Sequence, residues 1–191
     1  MTTENLNQIR ETLSPLIGQP LHKITRAADT ICLHLGGLIE KRCAVRGEDG
    51  RFTVSSAMVG EYALHVSSCF RLSCGKTIVA AKSDLYQPSA AARAEFGEEL
   101  PEEYDYDTIG NNRLDEIIFS SLSDLDGCIV QKIIVRRFGD LRIVFSNGFE
   151  MELIVDLSGG EECWRFFRHG DADHLVITGQ GLAVDAMEDS D

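Results

Sequence analysis

Leu141-Arg142-Ile143-Val144-Phe145, then Asn147-Gly148, then Phe149-Glu150-Met151-Glu152-Leu153-Ile154-Val155 is the stretch on which the fold turns. Apolar and polar residues alternate on both sides of the Asn-Gly pair, the period of a strand with one buried face. Asn and Gly both tolerate positive φ, so the sequence predicts an antiparallel hairpin closed by a two-residue primed turn. Upstream the period changes. Leu114, Ile117, Ile118 and Leu122 recur at helical spacing and give a helix one apolar stripe.

The same succession stands earlier in the chain. Leu6, Ile9 and Leu13 form a helical stripe, and Leu13-Ser14-x-Leu16-x-Gly18 with Lys23-Ile24 matches Leu122-Ser123-x-Leu125-x-Gly127 with Lys132-Ile133 at identical spacing. Gly18 and Gly127 follow the stripes, and Pro15 and Pro20 flank the first stop, as at helix ends. Arg26-x-x-Asp29 recurs as Arg137-x-x-Asp140, Glu61-x-x-Leu64-x-Val66 as Glu150-x-x-Leu153-x-Val155, and Cys69-Phe70-Arg71 as Cys163-Trp164-Arg165. Ile78-Val79 with Leu85 matches Leu175-Val176 with Leu182. Their shared order points to one unit present twice.

Each unit reads as a helix, a three-stranded meander, a Cys-aromatic-Arg segment and a closing strand. The first spans 1–86, with an extra hairpin inserted at about 37–58 around Gly47-Glu48-Asp49-Gly50; the second spans 113–183. Residues 87–112 carry few large apolar side chains and are expected to form a mobile acidic linker, and 184–191 a disordered acidic tail. A helix covers only one face of a meander, so two fused copies are expected to pack about a pseudo-twofold axis, a monomer built like a joined homodimer. The expected class is α+β, mostly antiparallel β.

The 191 residues carry 31 acids against 18 bases, a net charge of −13. Glu95, Glu98, Glu99, Glu102, Glu103, Asp105 and Asp107, with Asp185, Glu188, Asp189 and Asp191, hold nearly all of that excess. Such a balance argues against a nucleic-acid module, which needs surplus Lys and Arg to displace counterions. The start Met1-Thr2-Thr3-Glu4-Asn5 lacks a secretory pattern, and no apolar run spans a bilayer. Cys32, Cys43, Cys69, Cys74, Cys128 and Cys163 form no CxxC pair and no zinc spacing, so a reduced cytoplasmic protein without metal or cofactor is expected.

Chemical motifs are sparse. Cys74-Gly75-Lys76-Thr77 ends like a phosphate-binding loop, but Phe70 stands where that pattern needs Gly, and a strand follows; a hairpin turn is expected. Gly179-Gln180-Gly181 lacks a third glycine and reads as a turn, as does the polar Asp171-Ala172-Asp173-His174. His22, His34, His65, His169 and His174 pair with no nucleophile by spacing, so no catalytic residue is assigned. In the repeated element, Cys69, Phe70, Cys163 and Trp164 are expected to anchor the two cores. Arg71 and Arg165 either hold carboxylates such as Glu61 and Glu150 or converge into an anion pocket. In the acidic loop, Glu98, Glu99, Glu102, Glu103, Tyr104, Asp105, Tyr106 and Asp107 interleave tyrosines with carboxylates, a composition suited to a basic protein surface.

Glu61-Tyr62-Ala63-Leu64-His65-Val66 with Arg71, Asn111-Asn112-Arg113-Leu114-Asp115-Glu116, and Cys163-Trp164-Arg165-Phe166-Phe167 resemble elements of an uncharacterised bacterial family, a domain of unknown function. The resemblance covers most of the chain and supplies no catalytic residues. In charge and size the chain is also similar to immunity proteins that neutralise a cognate toxin. The expected function is therefore a non-enzymatic protein-binding domain of immunity type with a basic partner. A regulatory domain binding a small anion at the repeat junction is the alternative, and a hydrolase the third reading.

Overall fold

The computed structural model describes residues 1–46, 52–97, 99–122 and 125–186. Helix α1 (Thr3–Leu13) begins at Thr2, whose hydroxyl accepts from the Asn5 N–H at 3.1 Å, and it buries Ile9 and Leu13. Pro15 tightens the chain into a 3-10 turn, Ser14–Leu16. Five strands follow: β1 (Leu21–Ala27), β2 (Thr30–Arg46), β3 (Phe52–Val66), β4 (Cys69–Cys74) and β5 (Thr77–Ala81). A 3-10 turn (Lys82–Tyr86), α2 (Ala90–Phe96) and α3 (Arg113–Ser120) lead to β6 (Val130–Val135), β7 (Leu141–Phe145), β8 (Phe149–Ile154), β9 (Glu162–Arg168), β10 (Asp173–Thr178) and β11 (Gly181–Ala186). The fold is α+β, and the sheets are antiparallel.

The strands do not stay with their own half. One sheet runs β1-β2-β3-β9-β10-β11, the other β5-β4-β8-β7-β6. Each sheet therefore joins a three-strand meander from one half to strands from the other, β3 pairing with β9 and β8 with β4. The strands feeding the two meanders also touch: Leu21 N–H donates to the Cys128 carbonyl at 2.8 Å, and Val130 N–H to the Gln19 carbonyl at 2.9 Å. Counted from Gly18 and Gly127, these are the same positions in reciprocal roles. A bulge falls between Leu21 and Lys23 in β1 and between Val130 and Lys132 in β6, again at matching places.

One core lies between the sheets. Leu33, Leu64, Trp164 and Phe166 face inward from the first sheet, and Phe70, Leu72, Ile143 and Met151 from the second. Trp164 is 0% exposed, and its indole N–H donates at 2.9 Å to the carbonyl of Gly139 in the turn between β6 and β7, tying the sheets together. Helix α3 lies beside β1 and β5, an edge strand of each sheet, and α1 lies against β6. Their apolar stripes complete the core where a meander alone would leave it open.

Local departures from the sequence reading have physical causes. The β7–β8 turn spans Ser146–Gly148, and only Gly148 has positive φ, at 86°. Gly148 N–H donates to the Phe145 carbonyl at 3.3 Å, so this is a three-residue loop with a left-handed closing glycine, not a two-residue primed turn. The hairpin expected as an insertion at 37–58 continues β2 and β3 into one long ribbon beyond a bulge between Leu35 and Leu38. Gly60 is required there, because a Cβ would come within 2.4 Å of the Leu35 nitrogen. The Gly47–Gly50 turn lies outside the described residues. Residues 87–112, expected as a linker without structure of its own, carry α2 and a set of specific hydrogen bonds described below. Strand β11 continues through Ala186, into the segment expected to be tail, and residues 187–191 lie outside the described residues.

Candidate functional site

Helix α3 starts at Asn112, whose side-chain oxygen accepts from the Asp115 N–H at 2.8 Å. The Asn112 amide nitrogen donates to the Tyr106 carbonyl at 2.8 Å and to Asp115 Oδ2 at 2.9 Å, so this wholly buried side chain is fully engaged. Asp115 also accepts from the Gly110 N–H at 2.8 Å. Across from it, Arg26 of β1 donates to both carboxylate oxygens at 2.7 Å, a bidentate pair whose side chains are 1% and 2% exposed. Burial alone raises the Asp115 pKa, but Arg26 and the Gly110 N–H outweigh it and hold the carboxyl below its usual range. The remaining donors of Arg26 reach the carbonyls of Asp107 (3.1 Å) and Ala28.

This clamp fixes the acidic loop. Tyr104 hydroxyl donates to the Asn111 carbonyl, and its ring meets Tyr106 edge-on at 4.9 Å and Phe96 of α2 at 6.1 Å. Asp105 accepts from the Asp107 N–H and the Thr108 hydroxyl, both at 2.8 Å, and those bonds lower its pKa. Half-buried Tyr104 and Tyr106 and exposed Asp105, all read from sequence as contact residues, thus make their bonds and ring contacts within the loop itself. Glu99, Glu102, Glu103 and Asp107 are exposed on it, and Glu98 lies outside the described residues.

Arg71 and Arg165 do not converge. Arg71 lies between the buried Phe70 and Leu72, so it points to the outer face of its sheet, where it pairs with Glu152. Arg165, between Trp164 and Phe166, points to the outer face of the other sheet and binds Glu162 at 2.7 Å. Period two puts the arginine opposite its aromatic neighbour, and the aromatics face the shared core, so the arginines end on opposite sides of the molecule. Nor do they hold the carboxylates expected from sequence: Glu61 pairs with Arg168 and Glu150 with Arg142. Phe70, Cys163 and Trp164 are buried as expected of anchors, whereas Cys69 is exposed.

The outer face of the six-stranded sheet gathers four histidines. Phe167 stacks on His174 at 4.2 Å and meets His65 and His169 edge-on at 5.0 and 5.1 Å; His34 binds the Thr25 hydroxyl at 3.0 Å. Cys32 sits cross-strand from His65. Burial raises the Cys32 thiol and lowers the His65 imidazole, so both sit on the neutral side, the reverse of an activated thiolate–imidazolium pair. Among the described residues no three His, Cys, Asp or Glu side chains are placed to hold a metal ion, and no helix is long and apolar enough to cross a membrane. Cys74–Thr77 and Thr178–Gly181 close hairpins, as their sequences suggest.

Sequence reasoning missed Arg26, Asn112 and Asp115. The Asn112-x-x-Asp115 spacing was a readable helix start. The partner of Asp115 was not readable, because Arg26 lies 89 residues away. No family model, no curated protein and no solved structure matches the chain.

Proposed function

We propose that the chain is a non-enzymatic protein-binding module of immunity type, and that its acidic loop receives a basic surface of the partner. The observation that carries this reading is the Arg26–Asp115 clamp with its Asn112 and tyrosine bracing. A charged loop left free would lose much of its binding energy to ordering, and one already fixed avoids that loss. Exposed Glu99, Glu102 and Glu103 then act chiefly on encounter rate and partner choice. The anion pocket has no geometric support, since Arg71 and Arg165 stand on opposite faces.

We also propose that the two halves descend from one duplicated unit. In support, Phe70 opposite Leu153 and Trp164 opposite Val66 occupy corresponding places in β4 and β9, as do Arg71 and Arg165. In the third strand the register aligns Leu64, opposite Leu33, with Met151, opposite Ile143, two residues from the sequence match to Leu153.

The test of function is affinity capture from the source organism with the full chain and with the triple variant Glu99→Lys, Glu102→Lys, Glu103→Lys. A basic protein should be retained by the wild type, released as salt rises, and not retained by the triple variant. Capture of the same partner by both, with no salt dependence, would contradict the proposal.

A further inference from the structure

Beside the acidic loop, a groove of about 440 Å³ runs between β1 and α3. One wall is made by four consecutive residues of β1, Lys23 through Arg26. Successive side chains of a strand point to opposite faces, so a groove that touches four in a row must run along the strand's backbone edge. β1 is the edge of the six-stranded sheet, with β2 on its other side. The opposite wall is the α3 side, Ile118, Phe119 and Leu122, with Ile109 of the acidic loop at one end. Phe119 is 61% and Ile109 56% exposed, large apolar surfaces left to water at the rim.

The corresponding edge of the other sheet is arranged differently. Beside β6, helix α1 sends Arg10 to the Val135 carbonyl at 3.4 Å, and the groove there is about 240 Å³. A side chain thus occupies part of that edge, a common way of protecting one. At β1, Lys23 donates to the Met58 carbonyl at 2.7 Å and keeps its charge at one end of the groove, while Arg26 at the other end is neutralised by Asp115. At the Arg26 end the bordering charge comes from the acidic loop, whose Asp107 carbonyl Arg26 also holds.

We infer that the β1–α3 groove binds an extended segment of a partner protein as an added strand of the six-stranded sheet. The segment carries apolar side chains at alternate positions, facing Phe119 and Ile109, and Lys or Arg where it meets the acidic loop. Main-chain hydrogen bonds to β1 supply affinity, and the apolar wall supplies specificity. Four strand residues give an edge of about 13 Å, enough for a short peptide. This inference rests on the protein-binding reading and names the form its partner takes.

The probe is the synthetic peptide Lys-Lys-Val-Thr-Val-Thr-Val-Lys-Lys, titrated into the full chain and followed by amide shifts and hydrogen exchange. Binding should protect β1 amides within Lys23–Arg26 and shift Phe119 and Ile109. Phe119→Ser and Ile109→Ser, both at exposed positions, should each weaken binding about tenfold without lowering Tm. The same peptide with its central Val replaced by Pro, which lacks the N–H, should bind at least as poorly. Absence of binding, protection confined to other strands, or equal binding of the proline peptide overturns the inference. If the Glu99→Lys, Glu102→Lys, Glu103→Lys variant loses binding while Phe119→Ser and the proline peptide change nothing, the acidic loop stands and the groove falls. If the triple variant binds normally while Phe119→Ser does not, the groove stands and the loop reading falls.

Discussion

Replacing Arg26 by Met strands the Asp115 carboxylate in a site where it is 2% exposed. Removing one partner of a buried ion pair costs about 3–5 kcal/mol, because the other charge keeps its desolvation penalty. A chain of this size has a total stability of about 5–15 kcal/mol, so about a fifth or more is lost. The corresponding fall in Tm is about 6–20 °C. In an Asp115→Asn background there is no stranded anion, and an acceptor remains for the Gly110 N–H. There Arg26→Met should cost only about 1–2 kcal/mol, leaving a coupling energy of about 2–3 kcal/mol in the double-mutant cycle. Urea unfolding by circular dichroism at neutral pH measures all four corners. The depressed Asp115 pKa sets the pH window: its contribution is complete above the ordinary carboxyl range and disappears as pH falls through the lower folded value. Hydrogen exchange adds a local readout, since Arg26→Met also frees the Asp107 carbonyl and should speed exchange at Gly110 and through 99–111. A cost below about 1 kcal/mol, or unchanged exchange in the loop, would refute the claim that this pair builds the platform.

Three further outcomes follow from the packing. Trp164, the only tryptophan, should emit at short wavelength and resist quenching by iodide; Trp164→Ala should cost about 3–5 kcal/mol, and quenching of native protein would contradict its burial. Burial, with Lys23, His169 and His65 nearby, lowers the His34 pKa to about 4, and His65 and His169 are lowered too. The unfolded chain then binds protons that the folded one refuses, so stability is full above about pH 6.5 and declines toward pH 4; a urea midpoint unchanged between those limits would disprove it. Among the described thiols, exposed Cys69 and Cys74 should react with a thiol reagent in the native state. Buried Cys163 and Cys128, the latter pushed up to about 11 by desolvation, should react only on unfolding, and mass spectrometry of the labelled protein decides between them.

What was legible in the sequence was what short-range periodicity encodes. The stripes Leu6-Ile9-Leu13 and Leu114-Ile117-Ile118 became helices, and the alternation over 141–155 became β7 and β8. The β4–β5 turn at Gly75-Lys76 was equally readable. Which strand lies beside which was not, because the apolar face of β4 suits β3 as well as β8. Only the assembled core selects β8. The acidic loop misled for a related reason. Its composition suggests solvated chain, yet its order comes from Arg26 and Asn112, single polar residues whose partners lie elsewhere in the sequence or in backbone carbonyls. The bracing role of Tyr104 and Tyr106 left no mark in the sequence, where a bracing tyrosine and an exposed one are identical.

Interleaving of the halves is tested most directly by cutting the chain in two. Residues 1–112 retain β1–β5 and residues 113–191 retain β6–β11, so each fragment lacks the strands that complete both sheets. Produced separately, neither fragment should unfold cooperatively, and Trp164 in fragment 113–191 should emit as a solvent-exposed indole; mixed in equal amounts, the fragments should recover cooperative unfolding and blue-shifted emission in a tight complex. Cooperative unfolding of residues 1–112 alone would contradict the exchange of strands between the halves.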